Sequence, residues 1–318
     1  MACTGTRRPA YGNPSQVSPG ALLLPTGAGF VYASGAIAIK RALGTGVSGN
    51  WVNFLCNSLT AIFFQLFWLF PGGRPTYAAL IPPLLCGALF FLGQICTFRA
   101  IATGDVSIAT PLLGTKVIFV ALFSLLLLHH ALPVRWWIAS LLASVGIAFI
   151  SYSPVGFHKR LVATVGWSLG TAVVFALTDI NVQHWVPRIG YYRFAPVMFG
   201  TTGLLSLIYL PAIFKENQHQ RYDSGSLQVQ PKSRLWLTIG AFLLSIQAMG
   251  MYSAIGLYGS ATLTNILYGS RCLWSVLLVW SLGSLAGESA SAGNRSAVMG
   301  LRLTGALLLF AAMALVIQ

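Results

Sequence analysis

Two cations sit where hydrocarbon is expected. Lys116 lies inside "ATPLLGTKVIFVALFSLLLL", Ala109 to Leu128, and Arg271 lies inside "NILYGSRCLWSVLLVW", Asn265 to Trp280. A cation at the centre of a bilayer costs about 2.5–3.5 kcal/mol on insertion scales, so each is expected to face a protein interior or a wet cavity. Together they offer an electropositive seat for an anionic group. One helical turn from Arg271 stand Tyr268, Trp274 and Ser275, with Thr264 two turns back. The aromatic faces suit a guanidinium or a bound molecule, and the hydroxyls suit orienting it. The structural reading is that each cation pairs with an acid or with backbone carbonyls, and that the aromatics are ordinary helix packing. Asp179, in "FALTDINVQHW", is the one acid well inside an apolar run, and one carboxylate does not neutralise two cations. Asp179 has two readings of its own, a relay for a coupling proton or a fixed counter-ion to Lys116 or Arg271.

These residues need elements to hold them, and composition says which. The chain of 318 residues is 56% hydrophobic and 8% charged, with mean hydropathy +0.75. Soluble domains are about 25% charged, so too few polar side chains exist here to cover a water-facing surface. Apolar runs between glycine, proline and charge punctuation place ten spans at 21–39, 51–70, 79–102, 106–128, 136–153, 162–182, 194–214, 235–257, 261–283 and 298–317. Each approaches the roughly 20 apolar residues a crossing helix needs. The runs are apolar on all sides, which argues for helices and against outer-membrane strands. The expected fold class is an all-α integral membrane protein. A polar tail, 1–20, precedes the first span, and a polar loop, 215–234, follows the seventh. The stretch "GESASAGNRS" precedes the tenth span, and Gly166 and Gly170 are expected to let helices approach closely.

The two cations are related by a repeat. Sliding the chain by 271 − 116 = 155 residues brings Gly104 onto Gly259, Ser107 onto Thr262, Leu112 onto Leu267 and Gly114 onto Gly269. It also brings Thr115 onto Ser270, Lys116 onto Arg271 and Phe119 onto Trp274. Five spans per half is an odd number, so the second half, 154–318, enters the membrane upside down relative to the first, 21–153. That is an inverted repeat of two five-helix units, an architecture of secondary transporters that bind cargo near the midplane. At about 1.5 Å per residue each cation lies about 15 Å into its span. Pro111, five residues before Lys116, is expected to bend the fourth span.

Other features point away from different functions. The 19 basic residues outnumber five acids, but they are scattered between apolar runs and form no basic face for nucleic acid. His129 and His130, beside Arg135, Trp136 and Trp137, read as membrane-edge residues and not as a metal or acid–base pair. Arg99, near a span end, is given no site role. The five cysteines, Cys3, Cys56, Cys86, Cys96 and Cys272, form no C-x-x-C, and neither disulfides nor metal are inferred. No phosphate loop, dinucleotide fingerprint or nucleophile elbow occurs, so no cofactor is expected.

The stretches "AIAIKRAL", "TFRAIATGDVSIATPLL" and "ATLTNILYGSRCLWSVLLVW", within the ten-span plan, resemble the drug/metabolite transporter superfamily, specifically EamA-type ten-helix members. The resemblance implies a carrier of small metabolites with a cavity lined by the third, fourth, eighth and ninth helices. It also implies that basic residues on the fourth and ninth helices serve anionic cargo, where Lys116 and Arg271 fall. Many such members carry a glutamate after the fourth span, where this chain reads His129–His130. The leading expectation is therefore a secondary transporter of a small anionic or zwitterionic metabolite. Its partners are membrane lipids, that metabolite and a coupling proton. The alternatives are an integral membrane enzyme acting on lipid or lipid-linked substrate through His129 or His130 and Asp179, and a sensor or scaffold. On orientation the signals disagree. Outside the spans the tail side carries Arg7, Arg8, Arg74, Arg135, Arg188 and Arg193. The other side carries more cations, four of them in the 215–234 loop, which favours termini outside. The resemblance implies cytoplasmic termini in a cell (inner) membrane, and that is the expectation kept.

Overall fold

The computed structural model describes residues 18–70, 77–103, 112–129, 131–151, 161–215, 231–282 and 295–317. Cys3 and the rest of the tail through residue 17, Gly104, Ser107, Pro111, His130, loop residues 216–230 and most of "GESASAGNRS" lie outside them.

The helices are α1 (Pro19–Gly44), α2 (Gly49–Gln65), α3 (Ile81–Thr103), α4 (Lys116–Leu128), α5 (Val134–Ile150), α6 (Leu161–Ile189), α7 (Tyr191–Leu205), α8 (Pro231–Tyr258), α9 (Ala261–Tyr268), α10 (Arg271–Leu282) and α11 (Arg295–Ile317). Among the described residues no strand occurs. Local chemistry sets many of the ends. Ser18 caps α1, its hydroxyl accepting from Ala21 N at 3.4 Å, with Pro19 at the first position, where no amide hydrogen is needed. Ser48 caps α2 by accepting from Trp51 N at 3.2 Å. Gly190, at φ 93°, makes the turn from α6 to α7 in a conformation few side chains adopt.

Seven described helical segments are long and apolar enough to cross a membrane: Pro19–Gly44, Gly49–Leu69, Ile81–Ala100, Val162–Ile189, Tyr191–Lys215, Ser233–Tyr258 and Gly300–Ile317. Leu112–Leu128 and Val134–Ile150 are shorter apolar helices. The ninth expected span, 261–283, is not one helix. It is α9 followed by α10, broken at Gly269–Ser270. Several expected spans are too short. The first runs to Gly44, the sixth to Ile189, and the eighth begins at Pro231, so residues 231–234 of the expected polar loop are helical. Lys40 and Arg41 in the first case and Lys232 and Arg234 in the eighth ended the apolar runs without ending the helices, because a long basic side chain reaches toward water from inside a helix.

Several helix contacts come in pairs. α1 lies along α8 as α3 lies along α6; α3 meets α7 as α8 meets α2; α4 meets α6 as α9 and α10 meet α1. α2 meets α7 and α5 meets α11 across the centre. Exchanging the first five spans for the last five turns the paired contacts into one another and maps α2–α7 and α5–α11 onto themselves. At the α5–α11 crossing, Gly146 and Gly305 abut: a Cβ on Gly146 would meet the Gly305 carbonyl oxygen at 2.8 Å, and one on Gly305 the Gly146 oxygen at 2.6 Å. Gly166 and Gly170 do not serve this way. Added methyls there meet nothing within 4 Å and the Cys96 sulfur at 4.0 Å, respectively. Spacing alone did not reveal which small residues sit at crossings.

The largest core cluster centres on Phe64 stacked on Phe199 at 4.0 Å, with Phe90 and Tyr252 edge-on to Phe199. Among the buried polar side chains, Thr60 pairs with Ser245 at 3.0 Å. Large apolar residues face outward, Leu69 at 82% and Val162 at 86% exposure, which acyl chains would cover and water would not favour.

Candidate functional site

Lys116 and Arg271 each begin a helix after a tightened turn. Thr115 N donates to Leu112 O and Ser270 N to Leu267 O, three residues back instead of four, at 3.1 and 3.0 Å. Phe119 N donates to Thr115 O and Trp274 N to Ser270 O, at 3.2 and 3.0 Å. Both pairs of bonds are separated by 155 residues (270 − 115 and 274 − 119), the offset read from the sequence. The matched triplets Gly114–Thr115–Lys116 and Gly269–Ser270–Arg271 are thus matched helix discontinuities. Such interruptions are where membrane carriers expose helix ends to cargo. Gly29 on α1 lets the second turn approach. A Cβ there would meet the Ser270 hydroxyl at 2.9 Å and the Arg271 nitrogen at 3.0 Å.

The two cations line one small cavity, with Leu113, Gly114, Asn265, Tyr268 and Gly269 among its other walls. It holds about 10 Å³, room for one water molecule. The two cations differ in their partners. The Lys116 ammonium lies 2.7 Å from Asp179 Oδ2; the lysine side chain is 17% exposed and the aspartate fully buried. Asn265 Nδ2 donates to the same Asp179 oxygen at 2.7 Å and to Ala261 O at 2.9 Å. Asp179 Oδ1 is buried and accepts no hydrogen bond, and Tyr252 lies alongside the carboxylate. Phe175 presents its ring 5.6 Å from the ammonium. Arg271 has no carboxylate partner among the described residues. Its guanidinium carbon stands 5.2 Å from the Tyr32 ring centre and 4.7 Å from that of Tyr268, and the two rings meet edge-on at 6.0 Å.

Of the residues singled out from sequence, Lys116, Arg271 and Tyr268 come together at the cavity. Trp274, Thr264 and Ser275 are not among the residues lining it. Trp274 packs edge-on against Phe30 at 5.3 Å, Thr264 is buried, and the Ser275 hydroxyl donates to Arg271 O at 2.8 Å. Trp274 and Ser275 share the helix of Arg271, Arg271–Leu282, and Thr264 lies on the helix before the break, so nearness along the chain did not bring them to the cavity wall. Asp179 occupies the counter-ion position to Lys116. Its neighbour Asn181 bonds to its own helix at Leu177 O, 2.8 Å. His129 is exposed at the end of α4, thirteen residues or about 20 Å beyond Lys116, in a left-handed conformation with φ 56°. It is far from Asp179, so the two do not form an acid–base pair. Arg99 lies over Trp167 at 5.9 Å.

Tyr32 and Asn265 were missed. Both lie in runs where apolar, small and polar residues alternate without a clear face, so no local signal separated them from packing residues. Gln183, also missed, accepts from Ala261 N at 2.7 Å and so fixes the start of α9 from α6.

Residues 19–152 match the EamA-like transporter family. The resemblance read from the sequence therefore stands on an independent match across the first five spans. A solved crystal structure is similar with a TM-score of 0.69 at 16% identity, covering 93% of this chain and 97% of its own, a likeness of fold. No curated protein matches the sequence. The apolar helices describe a multi-pass membrane protein, and its residues 19–152 are similar to the EamA-like transporter family.

Proposed function

We propose that the protein is a secondary carrier that moves a small anionic or zwitterionic metabolite by alternating access between units 21–153 and 154–318. The observation that supports this is the charge at the cavity. Two cations from matched helix discontinuities meet there with one carboxylate between them, leaving one positive charge in excess. A chain that needed only stability would gain from replacing a half-buried guanidinium that has no carboxylate partner among the described residues with an apolar side chain, and a bound anion supplies a reason to keep it. Rocking of one unit against the other would expose the cavity to each side in turn.

The protein is placed in a cell membrane with cytoplasmic termini, as the resemblance implies. Asp179 serves as a counter-ion, bound by Lys116 and Asn265, in preference to a proton relay. The test is counterflow into sealed liposomes holding purified protein, using a panel of labelled organic anions and zwitterions. Accumulation of an unaltered compound, lost in Arg271→Ala, is expected. Chemical conversion of a supplied lipid-linked substrate, without accumulation of any compound, would replace the carrier with the enzyme alternative.

A further inference from the structure

The two units hold their cations in different company. The α4–α6 contact that carries Lys116 and the α10–α1 contact that carries Arg271 are images of each other under the repeat. In the first, α6 presents the Asp179 carboxylate 2.7 Å from the ammonium. In the second, α1 presents the Tyr32 ring 5.2 Å from the guanidinium. A carboxylate in one unit is thus answered by an aromatic face in the other. A ring attracts a cation by about 0.5–2 kcal/mol without changing its formal charge. The ammonium and the carboxylate cancel, and the excess charge belongs to the guanidinium.

We infer that Arg271 is the anion seat, and that Lys116 acts through Asp179 as a positioning residue in a neutral brace completed by Asn265. The cargo then offers Arg271 one singly charged carboxylate. This rests on the carrier reading and narrows its substrate class. A guanidinium presents paired N–H groups in a plane that match the two oxygens of a carboxylate. A phosphate dianion would leave the poorly solvated cavity with net negative charge. Asp179 is already bound by Lys116, so no free carboxylate is offered to a substrate ammonium. Of the anionic and zwitterionic classes, the monocarboxylates fit best.

The brace makes a charge-balance test possible. Lys116→Met leaves Asp179 negative beside the cavity, which cancels the Arg271 charge and repels an anion. Adding Asp179→Asn removes that negative charge and restores the balance. Sodium acetate is the probe, compared with sodium phosphate at equal ionic strength, and the readout is the rise in melting temperature of purified protein in detergent. Acetate is expected to stabilise the wild type more than phosphate does. The effect is expected to weaken by about tenfold in apparent affinity for Lys116→Met and to return to within about threefold for Lys116→Met/Asp179→Asn. It is expected to vanish for Arg271→Gln. Without ligand, Lys116→Met is expected to melt below wild type, the double variant to recover, and Arg271→Gln to melt at or above wild type. Three results would overturn the seat: no acetate effect in the wild type, an acetate effect that survives Arg271→Gln, or a double variant that does not recover. Liposome counterflow of unaltered anion that persists alongside any of these leaves the carrier standing without this seat. Acetate stabilisation tied to Arg271 in a protein that moves no solute keeps the seat and removes the carrier.

Discussion

Asn265 donates to the same Asp179 oxygen that pairs with Lys116, at 2.7 Å in both cases. One carboxylate oxygen thereby ties α4, α6 and α9 together, and it does so at the cavity. Asn265 sits on the short helix that precedes the break, so the bond also fixes the approach to Arg271.

Removing that bond has a defined cost. Asn265→Ala is expected to lower stability by about 1.5–3 kcal/mol, the range for a hydrogen bond to a charged group. Asn265→Asp is expected to be worse, because it sets a second carboxylate against the first. Thermal melts of the purified protein, in detergent, check the order Ala above Asp; the reverse order would mean Asp179 is not charged there.

The Gly146–Gly305 contact predicts a steric effect that chemistry does not explain. Gly146→Ala or Gly305→Ala places a methyl within 2.8 or 2.6 Å of a facing backbone oxygen, so α5 and α11 must separate. A loss of about 1–3 kcal/mol is expected from such overpacking. Gly166→Ala, where the methyl meets nothing within 4 Å, is the control and is expected to be neutral or slightly stabilising. Equal melting temperatures for all three would refute the crossing.

Gln183 holds α9 from a distance of 78 residues along the chain by accepting from Ala261 N. Gln183→Ala leaves that buried amide without its acceptor, a loss of about 1–3 kcal/mol. Faster hydrogen exchange is expected across Ala261–Tyr268, with α2 and α7 unchanged. Uniform exchange across all helices would show instead that the bond supports the whole fold.

Asp179 as a counter-ion makes a prediction about driving force. Asp179→Asn is expected to slow transport, because Lys116 loses its partner. The ratio of rates with and without an imposed pH gradient is expected to match that of wild type. A ratio that collapses to one would make Asp179 the proton relay.

Cytoplasmic termini predict the behaviour of Cys3, which lies in the tail. A membrane-impermeant maleimide is expected to leave Cys3 unlabelled in intact cells and to label it once cells are opened. Labelling from outside would put the termini on the other side, as the cation count outside the spans suggests.

Much of this protein was legible in its sequence. Hydropathy is a local property summed over about 20 residues, so the apolar runs and the helical class were readable directly. The offset of 155 was readable because glycine, hydroxyl and cation recur together, and the same offset reappears in the backbone bonds of both breaks. That the ninth span is two helices was not readable, since Gly269 and Ser270 carry no stronger break signal than many glycines in the other spans. The glycines at real crossings were equally hidden. In lipid, helices are apolar on every face, so periodicity does not mark the side that turns inward.

The sequence by itself determined that two cations and one acid lie well inside apolar runs, so that one acid is too few to neutralise both cations. Only the tertiary structure decided which cation keeps the acid. Asp179 is 63 residues from Lys116 (179 − 116) and 92 from Arg271 (271 − 179), and nothing local couples them. The choice is made by the packing of α6 against α4 and of α1 against α10, which brings a carboxylate to the lysine and a tyrosine ring to the arginine. Ion pairing needs contact within a few ångströms, and for residues this far apart along the chain only the fold supplies it.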